Sequence, residues 1–187
     1  MHAADLSRRS CRRALAPVAT LAALAGLSGC GNTDPNAYAP TCAPVGILAD
    51  AADYTLYKGD IPDIGQMISH GAITGIYGRC SNNKPGDRLQ TTVSVEMDVT
   101  RGPAAPTNSV KVPFFVAVLK DGALLWKHDA EAIATFPSNV DHVHVRAAAI
   151  YLDLPVGRHL DGQNYRLEVG YQLTPAQLAY NRAHPPR

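Results

Sequence analysis

From Leu89 to Val99 apolar and polar residues alternate without a break. Leu89, Thr91, Val93, Val95, Met97 and Val99 share one face, and Gln90, Thr92, Ser94, Glu96, Asp98 and Thr100 share the other. A period of two marks a half-buried strand with one dry face and one wet face. Tyr165, Leu167, Val169, Tyr171 and Leu173 repeat the pattern against Arg166, Glu168, Gly170 and Gln172. Both stretches read as long strands of antiparallel type. Between them, residues 110–120 and 123–129 flank Asp121-Gly122, a dipeptide suited to the positive φ angles of a type I′ turn. That turn predicts a hairpin with Leu119 opposite Leu124 and Ala117 opposite Trp126, which puts the single tryptophan in the core.

Shorter apolar runs at 45–49, 54–57, 72–80 and 143–149, the last running on towards Leu152 and Pro155, add further strands. The C-terminal stretch differs. Thr174-Pro175-Ala176-Gln177 supplies an N-cap, a proline at the first helical position and a glutamine that closes a capping box. A helix to about Ala183 follows, packing Leu178 and Tyr180 onto the sheets and ending at His184-Pro185-Pro186. About seven strands and no long helix predict an all-β fold, an immunoglobulin- or fibronectin-like β-sandwich with a short C-terminal helix. A small β-barrel with an internal pocket is the alternative. Tyr165, at the head of its strand after Asp161-Gly162-Gln163-Asn164, has the placing of a corner tyrosine. Its hydroxyl would bond to main chain a few residues upstream, with Leu160 as its neighbour in the core.

The first thirty residues have another character. Arg8, Arg9, Arg12 and Arg13 form a basic head, and residues 14–27 are apolar or small apart from Pro17 and Thr20. A basic head, a short apolar middle and a small-residue exit make residues 1–29 a secretory signal, too short to span a membrane. Arg8-Arg9 lacks the hydrophobic residues that twin-arginine export would place after it, so the general secretory route is expected. The segment closes on Leu27-Ser28-Gly29-Cys30, which resembles a bacterial lipobox. That resemblance implies lipidation of Cys30, by diacylglyceryl thioether and fatty acids such as palmitate, and anchoring in membrane lipid. One acyl chain holds only marginally, but two or three hold essentially for good. Gly31 and Asn32 follow rather than an aspartate, which points to the outer membrane, periplasmic face. Residues 30–41 form a polar, proline-containing tether, and residues 42–187 the sandwich domain.

Removing the leader takes four Arg and one Asp from 17 basic and 16 acidic residues, leaving 13 against 15. The remaining cations are scattered, and a nucleic-acid partner has no support. Of four cysteines, Cys11 leaves with the leader and Cys30 takes lipid. Cys42 and Cys80 remain as a pair in an oxidising compartment, so a disulfide is expected.

The lipobox, the run Cys42-Ala43-Pro44-Val45-Gly46-Ile47-Leu48-Ala49-Asp50-Ala51, Cys80, and the ending from Gly170-Tyr171-Gln172-Leu173-Thr174-Pro175-Ala176-Gln177 to Leu178-Ala179-Tyr180-Asn181-Arg182 together resemble a family of short Gram-negative envelope lipoproteins of uncharacterised function. The resemblance implies location and fold, and carries no catalytic residues.

His142-Val143-His144 is the strongest metal candidate, since histidines two apart on a strand share a face. His128 and Asp141 are the nearest further ligands in sequence, but the plainer reading is a polar strand face shared with Arg146. Met67 and Met97 are too few for a methionine-rich copper site. Asp60 and Asp63, flanking Pro62, read as turn formers before a carboxylate pair. Ser69-His70 are sequence neighbours without triad geometry, and no serine sits in a nucleophile elbow. No cofactor is expected. The function that these features favour is a non-catalytic, lipid-anchored structural or interaction module facing the periplasm, with an envelope protein or cell-wall component as partner. A periplasmic metal-binding protein using His142 and His144 is one alternative, and an undetected envelope enzyme another.

Overall fold

The computed structural model describes residues 41–59 and 62–184. The leader, Cys30, most of the tether, Asp60 and Pro185–Arg187 lie outside the described residues. Within them the chain forms β1 (Val45–Ile47), β2 (Asp53–Tyr57), β3 (Met67–Asn82), β4 (Arg88–Arg101), β5 (Ser109–Lys120), β6 (Ala123–Thr135), β7 (His142–Arg146), β8 (Ile150–Pro155), β9 (Tyr165–Tyr171) and α1 (Pro175–Ala183). Single 3-10 turns precede β2, β3 and β9.

The strands make two sheets rather than a closed barrel. One runs β1-β9-β5-β6, with β1 parallel to β9 and the other pairs antiparallel. The second runs β2-β3-β4, and β7 and β8 then share the far edge of β4. Glu96–Thr100 of β4 pairs with β7, and Arg88–Val93 with β8. The sequence reading of one run through 143–155 is therefore corrected to two strands. The chain steps at Ala147, whose N–H donates to Val95 O at 2.8 Å, and whose carbonyl accepts from Ser94 Oγ at 2.7 Å. That step breaks the alternation and brings the strand count to nine among the described residues.

The dry face of β4 is as expected: Leu89, Thr91, Val93, Val95, Met97 and Val99 are all buried. They meet Val112, Phe114, Val116 and Val118 of β5 with Leu167 and Val169 of β9, all buried in one core between the sheets. Each such side chain withdrawn from water contributes roughly 1.5–3 kcal/mol, which drives the two faces together. Cys42 and Cys80 form a disulfide, with Cα atoms 5.7 Å apart. It ties the segment leading into β1, in one sheet, to β3 in the other.

The β5–β6 turn has φ 51° at Asp121 and 82° at Gly122, the mirror-image turn that the dipeptide predicts. Leu119 faces Leu124 as expected, but the register then shifts by one residue, so Val118 rather than Ala117 faces Trp126. The extra residue is Leu125, a β-bulge beside the turn that alternation alone cannot reveal. Trp126 consequently lies half-buried at the edge of the core instead of at its centre.

A second correction concerns the outer face of β9, expected to be wet. Glu168 and Gly170 are buried. Glu168 is bonded to Arg166, with Gly46 of β1 close beside them, while Ala51 and Phe115 close over Gly170 so tightly that a Cβ there would lie 2.8 Å from Ala51 Cβ. Edge strand β1 and the turn that follows it cover what the periodicity leaves open.

Helix α1 begins as its capping box dictates: Gln177 N–H donates to Thr174 Oγ1, and Thr174 N–H to Gln177 Oε1. It docks by polar bonds more than by apolar ones. The buried amide of Asn181 donates to the carbonyls of Asp50 and Asp53 at 3.0 and 2.9 Å, and Arg182 pairs with Asp50. Tyr180 is exposed, stacked on His184. The expected packing of Tyr180 onto the sandwich does not occur.

Candidate functional site

The chemistry-bearing side chains gather on the outer face of the second sheet. Antiparallel pairing sets His142 opposite Thr100, His144 opposite Asp98 and Arg146 opposite Glu96. Each cross-strand pair on one face brings its side chains within reach. His144 Nδ1–H donates to Asp98 Oδ1 at 2.8 Å, and its Nε2 lies 3.4 Å from Glu96 Oε2. Arg146 Nε donates to Glu96 Oε1 at 2.7 Å, and its guanidinium lies 4.6 Å from the centre of the Tyr77 ring. His142 shares a hydrogen bond with Thr100, and its Nε2 is 4.0 Å from Asp98 Oδ2.

Glu96 is nearly buried although it belongs to the polar face, because Arg146 and Tyr77 close over it. The Arg146 hydrogen bond holds its carboxyl below the ordinary range, against a smaller opposing effect of desolvation. His144 is shifted upward, first by its hydrogen bond to Asp98 and then by the charges of Glu96 and Asp98. The cluster is a charge ladder with its partners already in place. Both nitrogens of His144 face carboxylates of its own sheet. Among the described residues no three His, Cys, Asp or Glu side chains converge as a metal would need. His128, on β6 opposite Val116 of β5, lies in the other sheet.

The remaining candidates separate in space. Ser69 is buried and hydrogen-bonded to Tyr54 at 3.0 Å, whereas His70 points to the opposite face and bonds Thr55. Asp63 caps a 3-10 turn by accepting from Gly65 N–H at 2.7 Å.

Two grooves are present among the described residues. One, of about 550 Å³, is open and of mixed polarity, and lies beside the disulfide between Arg79, Gln90, Thr92, Tyr151 and Asp153. Tyr151 stands 80% exposed there, a position that no motif or periodicity singles out. The other, of about 530 Å³, is mainly apolar and runs over the first sheet from Leu124, past Phe115, to Leu178 of α1. Neither groove gathers a nucleophile with a base.

Comparison of the chain with protein-family models, curated proteins and solved structures gave no match.

Proposed function

We propose that this is a lipid-anchored protein of the bacterial envelope, held by acyl chains on Cys30 at the periplasmic face of the outer membrane. Its sandwich serves as a non-catalytic module that meets an envelope protein or cell-wall component. One conjunction carries the reading: a leader ending in Leu27-Ser28-Gly29-Cys30 stands ahead of a domain cross-linked between Cys42 and Cys80. Lipidation of that box and a stable disulfide require the same export from a reducing cytoplasm. The absence of a converged nucleophile, base or metal set among the described residues favours binding over catalysis. The exposed Tyr77 and Tyr151 on an otherwise polar sheet face suit recognition of a polar partner.

The test is labelled fatty acid fed to cells making the protein or its Cys30→Ser form. Label in the wild type alone supports the anchor. Equal label in both, or none in either, overturns it.

A further inference from the structure

Several segments meet at one end of the sandwich. Asp121 N–H, at the β5–β6 turn, donates to Asn164 O at 3.0 Å, just before β9. The Gln163 side chain donates to Cys42 O, and Gly162 packs against the Thr41 carbonyl so closely that no side chain would fit. The described chain therefore starts at the same end as the β5–β6 turn. Strand order β1-β9-β5-β6 sets the two three spacings apart, about 14 Å.

That turn is unusual for its surface. Leu124 is 64% exposed and Leu125 49%, with Trp126 half-buried behind them. Single exposed leucines are ordinary, but two adjacent ones at a hairpin tip form a small apolar projection. The β-bulge creates it by turning Leu125 out of the ladder, while Leu124 points away from the core opposite Leu119. Lys120 leads into the turn, and the β3–β4 and β8–β9 loops bring Lys84 and Arg158 to the same end of the sandwich, none of the three within ion-pair distance of a carboxylate among the described residues. Of the acids at this end, Asp161 caps Gln163 and Asp87 bonds Asn83, while Asp121 lies in the turn itself and sets one negative charge against the three cations.

We infer that the β5–β6 hairpin tip, Leu124 and Leu125, seats in the headgroup region of the bilayer that holds Cys30, fixing the domain with this end down. The inference rests on the anchor reading. Ten residues, 31–40, separate Cys30 from Thr41, and such a length spans at most about 35 Å. The tip therefore stays within reach of the membrane surface. Two leucines would hold a free protein there only weakly. A short connection changes that, because it makes contact intramolecular, at an effective concentration on the order of millimolar. The free cations suit anionic headgroups, and a half-buried tryptophan suits the interface. Docked this way, the domain presents its opposite end, with α1 and the β7 ladder, away from the membrane.

Trp126 is the only tryptophan, so it reports on the tip directly. The full lipidated chain is reconstituted into phosphatidylethanolamine–phosphatidylglycerol vesicles carrying nitroxide at the headgroup or the top of the acyl chain. Quenching of Trp126 is expected in the wild type, lost in L124D/L125D and retained in I133D. Ile133 is as exposed as Leu124 but sits at the far end of the same strand, so I133D controls for loss of any surface apolar group. Thermal melts confirm that each variant is folded. Fatty acid on Cys30 with an unquenched wild type overturns this inference and leaves the anchor standing. Quenching retained in L124D/L125D, or a Trp126 shift that follows protein concentration without quenching, as in pairing of two copies, overturns it too. A chain without fatty acid overturns both readings.

Discussion

The hydroxyl of Tyr165 donates to the carbonyl of Pro155, ten residues upstream, at 2.7 Å. The ring itself is buried, 2% exposed. The bond joins the head of β9 in one sheet to the end of β8 in the other. Leu160, expected as its companion, packs against the same core from the intervening loop. Tyr165→Phe removes the bond and leaves the ring, and should cost about 1 kcal/mol. Tyr165→Ala also leaves a cavity and should cost roughly 3–5 kcal/mol. Urea unfolding followed by Trp126 emission distinguishes the two.

Arg166, one residue on, looks like a neutral surface position and is not. Its guanidinium is the partner of the buried Glu168 carboxylate. Arg166→Ala should therefore destabilise by about 1–3 kcal/mol, because a buried acceptor loses its donor. Glu168→Gln added to Arg166→Ala should recover part of that loss. A double-mutant cycle on chemical unfolding measures it.

Gly71 lies over two tyrosines. A Cβ there would stand 2.5 Å from the Tyr54 ring and 2.9 Å from the Tyr171 hydroxyl. The rings are themselves in contact, centroids 4.7 Å apart. Gly71→Ala should cost about 1–3 kcal/mol through overpacking, read as a lower melting temperature. Gly59, with nothing within 4 Å of its Cβ position, makes a poor control because its φ is 90°. Thr74→Ala, exposed on the same strand, is the better one.

The β4–β7 ladder should give stability a pH dependence with two limbs. His144 is raised by folding, so its contribution is full below the ordinary histidine value of 6.5 and is lost as pH rises through the folded pKa. Glu96 is lowered, so its contribution is full above 4.5 and is lost as pH falls through the folded pKa. Both act fully between those values. Melting temperature should be highest there, and His144→Gln should remove the alkaline limb and, because the His144 charge also helps hold Glu96 down, make the acid limb shallower. Melts across pH, with an NMR titration of the His144 ring, check the sign.

Reducing the disulfide should lower stability by about 3–4 kcal/mol, the chain-entropy value for a 38-residue separation. Unfolding of the Cys42→Ala/Cys80→Ala form measures it without reductant.

Much of this fold is legible in the residues because strand periodicity is a local signal. β4, the β5–β6 turn and the capping box of α1 follow from neighbours in sequence. What was hidden depends on distant contacts. The bulge at Leu125 leaves no mark on hydrophobicity. The burial of Glu168 comes from β1, more than a hundred residues away. The anchoring of α1 rests on Asn181, a polar residue whose partners are main-chain carbonyls. At the candidate site, His142, His144 and Arg146 are readable as a strand face, but their carboxylate partners on β4 emerge only from the register.

The Cys42–Cys80 bond also decides how the domain bears force. Any pull on the chain ahead of Thr41 enters the fold through Cys42. Without the bond, the load would fall on the three residues of β1, an edge strand that could peel from β9 one hydrogen bond at a time. With it, the load passes sideways into β3, a sixteen-residue strand flanked on both edges by β2 and β4. Peeling is replaced by shear across a whole sheet, in which many bonds must fail together. Oxidation thus turns a weak hem into a mooring point.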